Sequence, residues 1–215
     1  MKIIISLLLA VVIKGIINLY TKRKFFPDCS KSYLINIFSL FLSIVFIISN
    51  LNKNNFISLS SYLVLAILLI LIIISYVDYQ TMIIPDTLLL VMILLFILGK
   101  IFNFIDFTQI FTLSSIVGLL VGFGTFYLIA FVSNGAMGGG DIKLVAVLGL
   151  WLGIIDIVIV MMLSFIIGSI ISILLIISKI KGMKDAIPFG PFIVVAFFCV
   201  YFYKDEILNI YLSLI

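Results

Sequence analysis

Three aspartates stand against long apolar runs in this chain. Asp78 closes the run SYLVLAILLILIIISYV, Asp86 follows Pro85, and Asp141 opens the run IKLVAVLGLWLG directly after Gly138, Gly139 and Gly140. A carboxylate at the border of an apolar segment is costly to bury, so each one needs water, a partner or a function. Asp86 has an ordinary explanation: Pro85 suits the first position of a helix, and an acid in that first turn complements the helix dipole. The dipole also accounts for part of Asp141, but not for the glycines before it. Consecutive glycines cost backbone entropy and are kept where dihedrals are unusual or another chain comes close. A plain loop is the ordinary alternative; the chemical one is a turn that lets Asp141 face inward and leaves room for a substrate backbone. Two carboxylates held a few ångströms apart cannot both ionise. The ionised member then acts as general base on a water while the protonated member donates to a peptide carbonyl. That is aspartic peptidase chemistry, and it uses no histidine, cysteine or metal.

The rest of the composition closes other routes. The chain has no histidine, which removes Ser-His-Asp triads, Cys-His dyads and His-Glu-x-x-His zinc sites together. Its two cysteines, Cys29 and Cys199, lie far apart without a Cys-x-x-Cys pair, so no structural zinc site is expected and no metal or cofactor is implied. Asp28, Asp106, Asp185, Asp205 and Glu206 lie in or beside polar loops and Asp156 in an expected tight turn, so these six read as solvated. A net charge of +4 is no sign of nucleic acid here, because the basic residues cluster between apolar runs, where membrane orientation explains them.

The elements that must carry the aspartates follow from the same runs. Of the 215 residues, 65% are apolar and 10% charged, with a mean hydropathy of +1.47. A water-soluble fold has nowhere to put that much apolar surface. The expected architecture is all-α: a polytopic membrane helical bundle of about eight transmembrane helices, forming one integral membrane domain over residues 1–215. The spans are read at about 3 to 20, 33 to 50, 60 to 77, 84 to 101, 111 to 133, 142 to 157, 159 to 178 and 188 to 203. Lys14 interrupts the first run and no Ala-x-Ala site follows it, so that run reads as a retained span rather than a cleaved signal. Loops 21 to 32, 78 to 83, 134 to 141 and 179 to 187 then share one face, which carries eight of the 13 basic residues against four on the other. The positive-inside rule makes that face cytoplasmic, and Asp78 and Asp141, 63 positions apart in sequence, both belong to it.

Three segments in this order, DYQTMIIPD (Asp78 to Asp86), GAMGGGDIKLVAVLGLWLG (Gly135 to Gly153) and IPFGPF (Ile187 to Phe192), resemble those of the type IV prepilin peptidases. The likeness covers roughly residues 60 to 200, taken as the peptidase core. It implies that Asp78 and Asp141 are the catalytic pair, with Gly138, Gly140 and Lys143 supporting the site. Lys143 matches the family's lysine two positions after the second aspartate, where its charge would favour the ionised form of Asp141; snorkelling to the surface is the plainer role. The two prolines and the glycine of IPFGPF suggest a broken helix start near the site.

The resemblance further implies a prepilin or pseudopilin substrate, with a basic leader ahead of an apolar helix, cut at the cytoplasmic border of the plasma membrane. The partners it implies are that substrate and the bilayer. Many relatives carry a cytoplasmic domain with two Cys-x-x-Cys pairs that accompanies N-methylation. The loop Thr21 to Ser32 has one cysteine and is too short for it, so a short form without methyltransferase activity is expected. Two rival readings are a presenilin-like intramembrane protease and a small ion- or proton-coupled transporter using the two aspartates. The first typically has a Tyr-Asp pair and a Pro-Ala-Leu motif, whereas here Val77 separates Tyr76 from Asp78 and the late motif is IPFGPF.

Overall fold

The computed structural model describes residues 59–101, 113–135, 137–183 and 185–213. Over these residues the regular structure is helical, without strands: α1 (Leu59–Thr81), α2 (Asp86–Ile101), α3 (Leu113–Val132), α4 (Gly139–Leu152), α5 (Ile154–Ile177) and α6 (Gly190–Ser213), the last kinked at Tyr203. Each helix falls on one of the six later apolar runs. The runs at 3 to 20 and 33 to 50 lie outside the described residues. Two helices, α3 with 20 residues and α5 with 24, are long and apolar enough to cross a bilayer; the apolar parts of α1 and α6 are shorter.

Side-chain size sorts the faces of α3 in the reverse of a water-soluble helix. Its buried positions are Ser115, Gly118, Gly122 and Phe126. Leu113, Ile116, Leu120, Phe123, Tyr127 and Phe131 recur at three- and four-residue spacing and are exposed. Large apolar side chains outside, with serine and glycine among the buried positions beside Phe126, suit a helix whose solvent is lipid, because association there depends on close backbone approach.

That approach is closest between α3 and α4. A Cβ on Gly118 would sit 2.5 Å from the Gly149 carbonyl oxygen and 2.7 Å from the Gly153 carbonyl carbon. One turn on, a Cβ on Gly122 would sit 2.9 Å from the Val145 oxygen. Two glycine pairs at four-residue spacing, Gly118 with Gly122 and Gly149 with Gly153, thus line the contact.

The remaining helices complete a ring in which α1 packs on α2, α2 on α4, α4 on α6 and α6 back on α1. The aspartate-bearing helices α1 and α4 face each other across it, while α5 packs on α3, α4 and α6 from outside. A small apolar cavity walled by Leu63, Ile67, Trp151 and Phe197 lies between α1, α4 and α6. Leu63 is 15 residues before Asp78 on α1, about 22 Å at helical rise, so this cavity is remote from the carboxyls.

The boundary between α4 and α5 departs from the sequence reading. It falls at Gly153, with φ +79, a left-handed value that a side chain would strain. Asp156, expected to be solvated in a turn, instead lies in the first turn of α5, 15% exposed, with Oδ1 2.7 Å from Lys204 Nζ on α6. The pairing compensates the charge that the earlier helix start carries into the bundle.

Candidate active site

Four helix ends converge at one end of the bundle: the C-terminus of α1 and the N-termini of α2, α4 and α6. Asp78 sits three residues from the end of α1. The helix stops there because Thr81 Oγ1 donates to the Val77 oxygen at 2.8 Å and accepts from the Ile83 N–H at 3.3 Å, while Met82 turns left-handed at φ +53. The following extended residues lead through Pro85 into α2.

Asp141 is the third residue of α4. Gly138 starts the helix with extended dihedrals and no side-chain cap, and its carbonyl accepts from the Asp141 N–H at 3.1 Å. The glycines have separate local reasons. A Cβ on Gly140 would meet Ile84 Cβ at 2.9 Å, and one on Gly138 would meet Asp141 Oδ2 at 3.0 Å. Gly139 has nothing within 4 Å. Gly140 therefore lets the segment after Asp78 lie against the start of α4, and Gly138 leaves the Asp141 carboxyl its position.

Among the described residues, Asp78 and Asp141 are the buried acidic side chains, 4% and 9% exposed. Both belong to the end of the bundle where Ile84, six residues after Asp78, lies against Gly140, the neighbour of Asp141. Their surroundings differ. Asp78 Oδ2 accepts the Gly190 main-chain N–H at 2.9 Å, whereas Asp141 Oδ1 is buried with no protein donor or acceptor among the described residues. The Gly190 N–H is available because the first N–H groups of a helix have no carbonyl one turn back. Pro191 follows it without an N–H of its own. IPFGPF is visible as a motif, but no side-chain rule picks out a main-chain donor within it.

Lys143 is on the same end of the bundle, but its bonds go to Asp86: Nζ lies 2.8 and 3.0 Å from the two carboxylate oxygens, with both residues more than half exposed. Asp86 is the first residue of α2, as its dipole role requires, and gains this partner as well. Among the described residues, no group of three or more His, Cys, Asp or Glu side chains is placed to hold a metal ion.

The profile of the type IV leader peptidase family matches residues 65–173, half of the chain, spanning both aspartates, the glycine turn and Lys143. The chain belongs to the type IV leader peptidase family. Three relatives, each named prepilin leader peptidase/N-methyltransferase, are similar to it at comparable levels. The Legionella pneumophila protein is 31% identical over 156 residues, covering 70% of this chain and 54% of the relative. The Bacillus subtilis protein is 27% identical over 158 residues, 74% and 62% respectively. The Aeromonas salmonicida protein is 32% identical over 151 residues, 68% and 50%. This leader peptidase family member thus spans roughly half to three fifths of their length. No solved structure gives a match. The family assignment and the apolar helices together make the chain a membrane protein.

Proposed function

We propose that the chain is an aspartic endopeptidase that removes the leader from a prepilin or pseudopilin, with Asp78 and Asp141 as its catalytic pair. The observation that carries this is the burial of two carboxyls from distant points of the chain at one end of the bundle, where Ile84, six residues after Asp78, lies against Gly140, the neighbour of Asp141. Two carboxyls too close for both to ionise share one proton between them. The Gly190 N–H favours negative charge on Asp78. Asp78 is then the base that takes a proton as a water attacks the scissile carbonyl carbon, and Asp141 gives the shared proton to the carbonyl oxygen. Asp141 Oδ1, which no group among the described residues satisfies, is available to meet that oxygen. When the C–N bond breaks, Asp78 returns its proton to the leaving amine and Asp141 recovers one from the hydroxyl of the tetrahedral intermediate. The cycle ends with the pair as it began.

Cleavage on the cytoplasmic side of a multi-pass protein is part of this reading, supported by the excess of basic residues in the loops that share the aspartates' face. Prepilin substrates are supported by the names of the relatives. Those names also include methyltransferase activity. Peptidase activity alone is proposed here, because Cys29 is the one cysteine in the loop Thr21 to Ser32.

Wild-type, Asp78→Ala and Asp141→Ala proteins, expressed with a prepilin in a host lacking its own prepilin peptidase, test the proposal. Mass spectrometry of the pilin N-terminus reads the result. Leader removal by the wild type alone, leaving an unmethylated terminus, is expected. Leader removal by either variant at the wild-type rate would refute the catalytic pair, and failure of the wild type across a panel of prepilins would refute the activity.

A further inference from the structure

The hydrogen bond from Gly190 to Asp78 depends on where the first turn of α6 lies, and a cluster of aromatic rings fixes that turn. Phe189, immediately before Gly190, accepts the Phe192 N–H at 3.0 Å and so opens the helix. Its ring is 5.3 Å from that of Phe165 on α5 and 6.2 Å from that of Phe126 on α3, centroid to centroid. Phe192 meets it edge-on at 5.9 Å. The rings fit because position 168 on α5 has no side chain: a Cβ there would lie 3.0 Å from Phe189 Cε2 and 3.0 Å from Phe192 Cδ2.

We infer that Gly168 is a positioning residue for the catalytic pair, acting through Phe189 on the Gly190 N–H that holds Asp78. The inference rests on the peptidase reading above. It brings α5, which gives no side chain to the carboxyl pair, into the apparatus that orients it. An alanine at 168 demands a displacement of a few tenths of an ångström from each ring. Phe189 is flanked by Phe126, Phe165 and Phe192, so part of the displacement passes to its own backbone. The next peptide carries the N–H that binds Asp78, and misaligning a group of that kind costs rate without weakening substrate binding.

The test is steady-state leader cleavage by the full chain in membranes. Gly168→Ala is expected to lower kcat by about three- to tenfold with KM unchanged, as for a slightly misplaced catalytic group. Adding Phe192→Leu, which removes the second ring that the new Cβ would press on, is expected to restore most of the loss. Gly124→Ala, at a helical glycine with nothing within 4 Å of the added carbon, serves as the control and keeps wild-type kcat. A Gly168→Ala enzyme with wild-type kcat, or one whose deficit Phe192→Leu does not relieve, would overturn the inference and leave the peptidase reading intact. A wild-type protein that cleaves no prepilin would remove both. If Gly168→Ala does not accumulate, Phe189→Leu decides: reduced kcat at constant KM upholds the mount, and wild-type kcat overturns it.

Discussion

Replacing Gly190 by alanine isolates the contribution of a single main-chain donor. The residue does not adopt a left-handed φ, so alanine meets no conformational penalty and the effect is one of space. The added Cβ would stand 2.7 Å from Asp78 Oδ2, 3.0 Å from its Cγ and 3.2 Å from its Cβ. Ordinary carbon–oxygen contact is nearer 3.3 Å, so the carboxyl must retreat by roughly half an ångström. The 2.9 Å hydrogen bond then stretches to about 3.4 Å, beyond the useful range. A hydrogen bond to a charged group contributes about 1.5–3 kcal/mol, which at about 1.4 kcal/mol per factor of ten corresponds to a loss of about 10- to 150-fold in kcat. The assay is prepilin cleavage in membranes, with the variant's abundance measured by quantitative immunoblot. A Gly190→Ala protein that accumulates normally and cleaves within about twofold of wild type would show that this bond does not set the geometry of the pair.

Gly118→Ala on α3 is expected to destabilise the bundle by about 1–3 kcal/mol, toward the upper end because both obstructing atoms are backbone; thermal unfolding in detergent checks this, and an unchanged midpoint would contradict the α3–α4 contact. The exposed pair of Lys143 and Asp86 is worth no more than about 1 kcal/mol, so Lys143→Ala should reduce cleavage only a few-fold. The charge-exchanged protein Asp86→Lys with Lys143→Asp should recover most of that loss, and a recovery failure would assign Lys143 a role other than pairing. Because the mechanism needs one ionised and one protonated carboxyl, the cleavage rate should fall at low pH as the base takes up a proton and at high pH as the shared proton is lost. A rate flat from acid to alkaline pH would exclude the pair as acid and base. Asp141→Asn, which keeps shape but cannot supply that acid, should be inactive throughout.

Much of this site can be read from one dimension because its side chains mark helix ends. Asp78 near the close of one apolar run, Pro85 and Asp86 at the opening of the next, and Asp141 after its glycines all lie where local chemistry starts or stops a helix. Partners are harder to read. Lys143 stands two residues from Asp141, yet its bonds reach Asp86, 57 positions earlier, because two helix N-termini share one end of the bundle. The Gly190 N–H is invisible to side-chain reasoning altogether. Asp156 was misread because a polar residue looked like the natural break between two spans, whereas Gly153 supplies the left-handed turn three residues sooner. The paired glycines of α3 and α4 do leave a signal in their four-residue spacing, and it becomes meaningful once the two helices are known to face each other.

The meeting of Gly118 with Gly149 also limits how the protein can move. Side chains at a helix interface can change rotamer and let two helices slide, but main-chain atoms in contact offer no such freedom. α3 and α4 therefore behave as one rigid body carrying Asp141. The head of α6, whose Gly190 binds Asp78, is set against the same body through Phe189, beside Phe126 on α3 and Phe165 on α5. Any rearrangement around an extended peptide then falls to α1 and α2, which lie outside that body. α2 acts as the strap, with its Asp86 fastened to Lys143 on one side and the short chain from Thr81 fastened to α1 on the other.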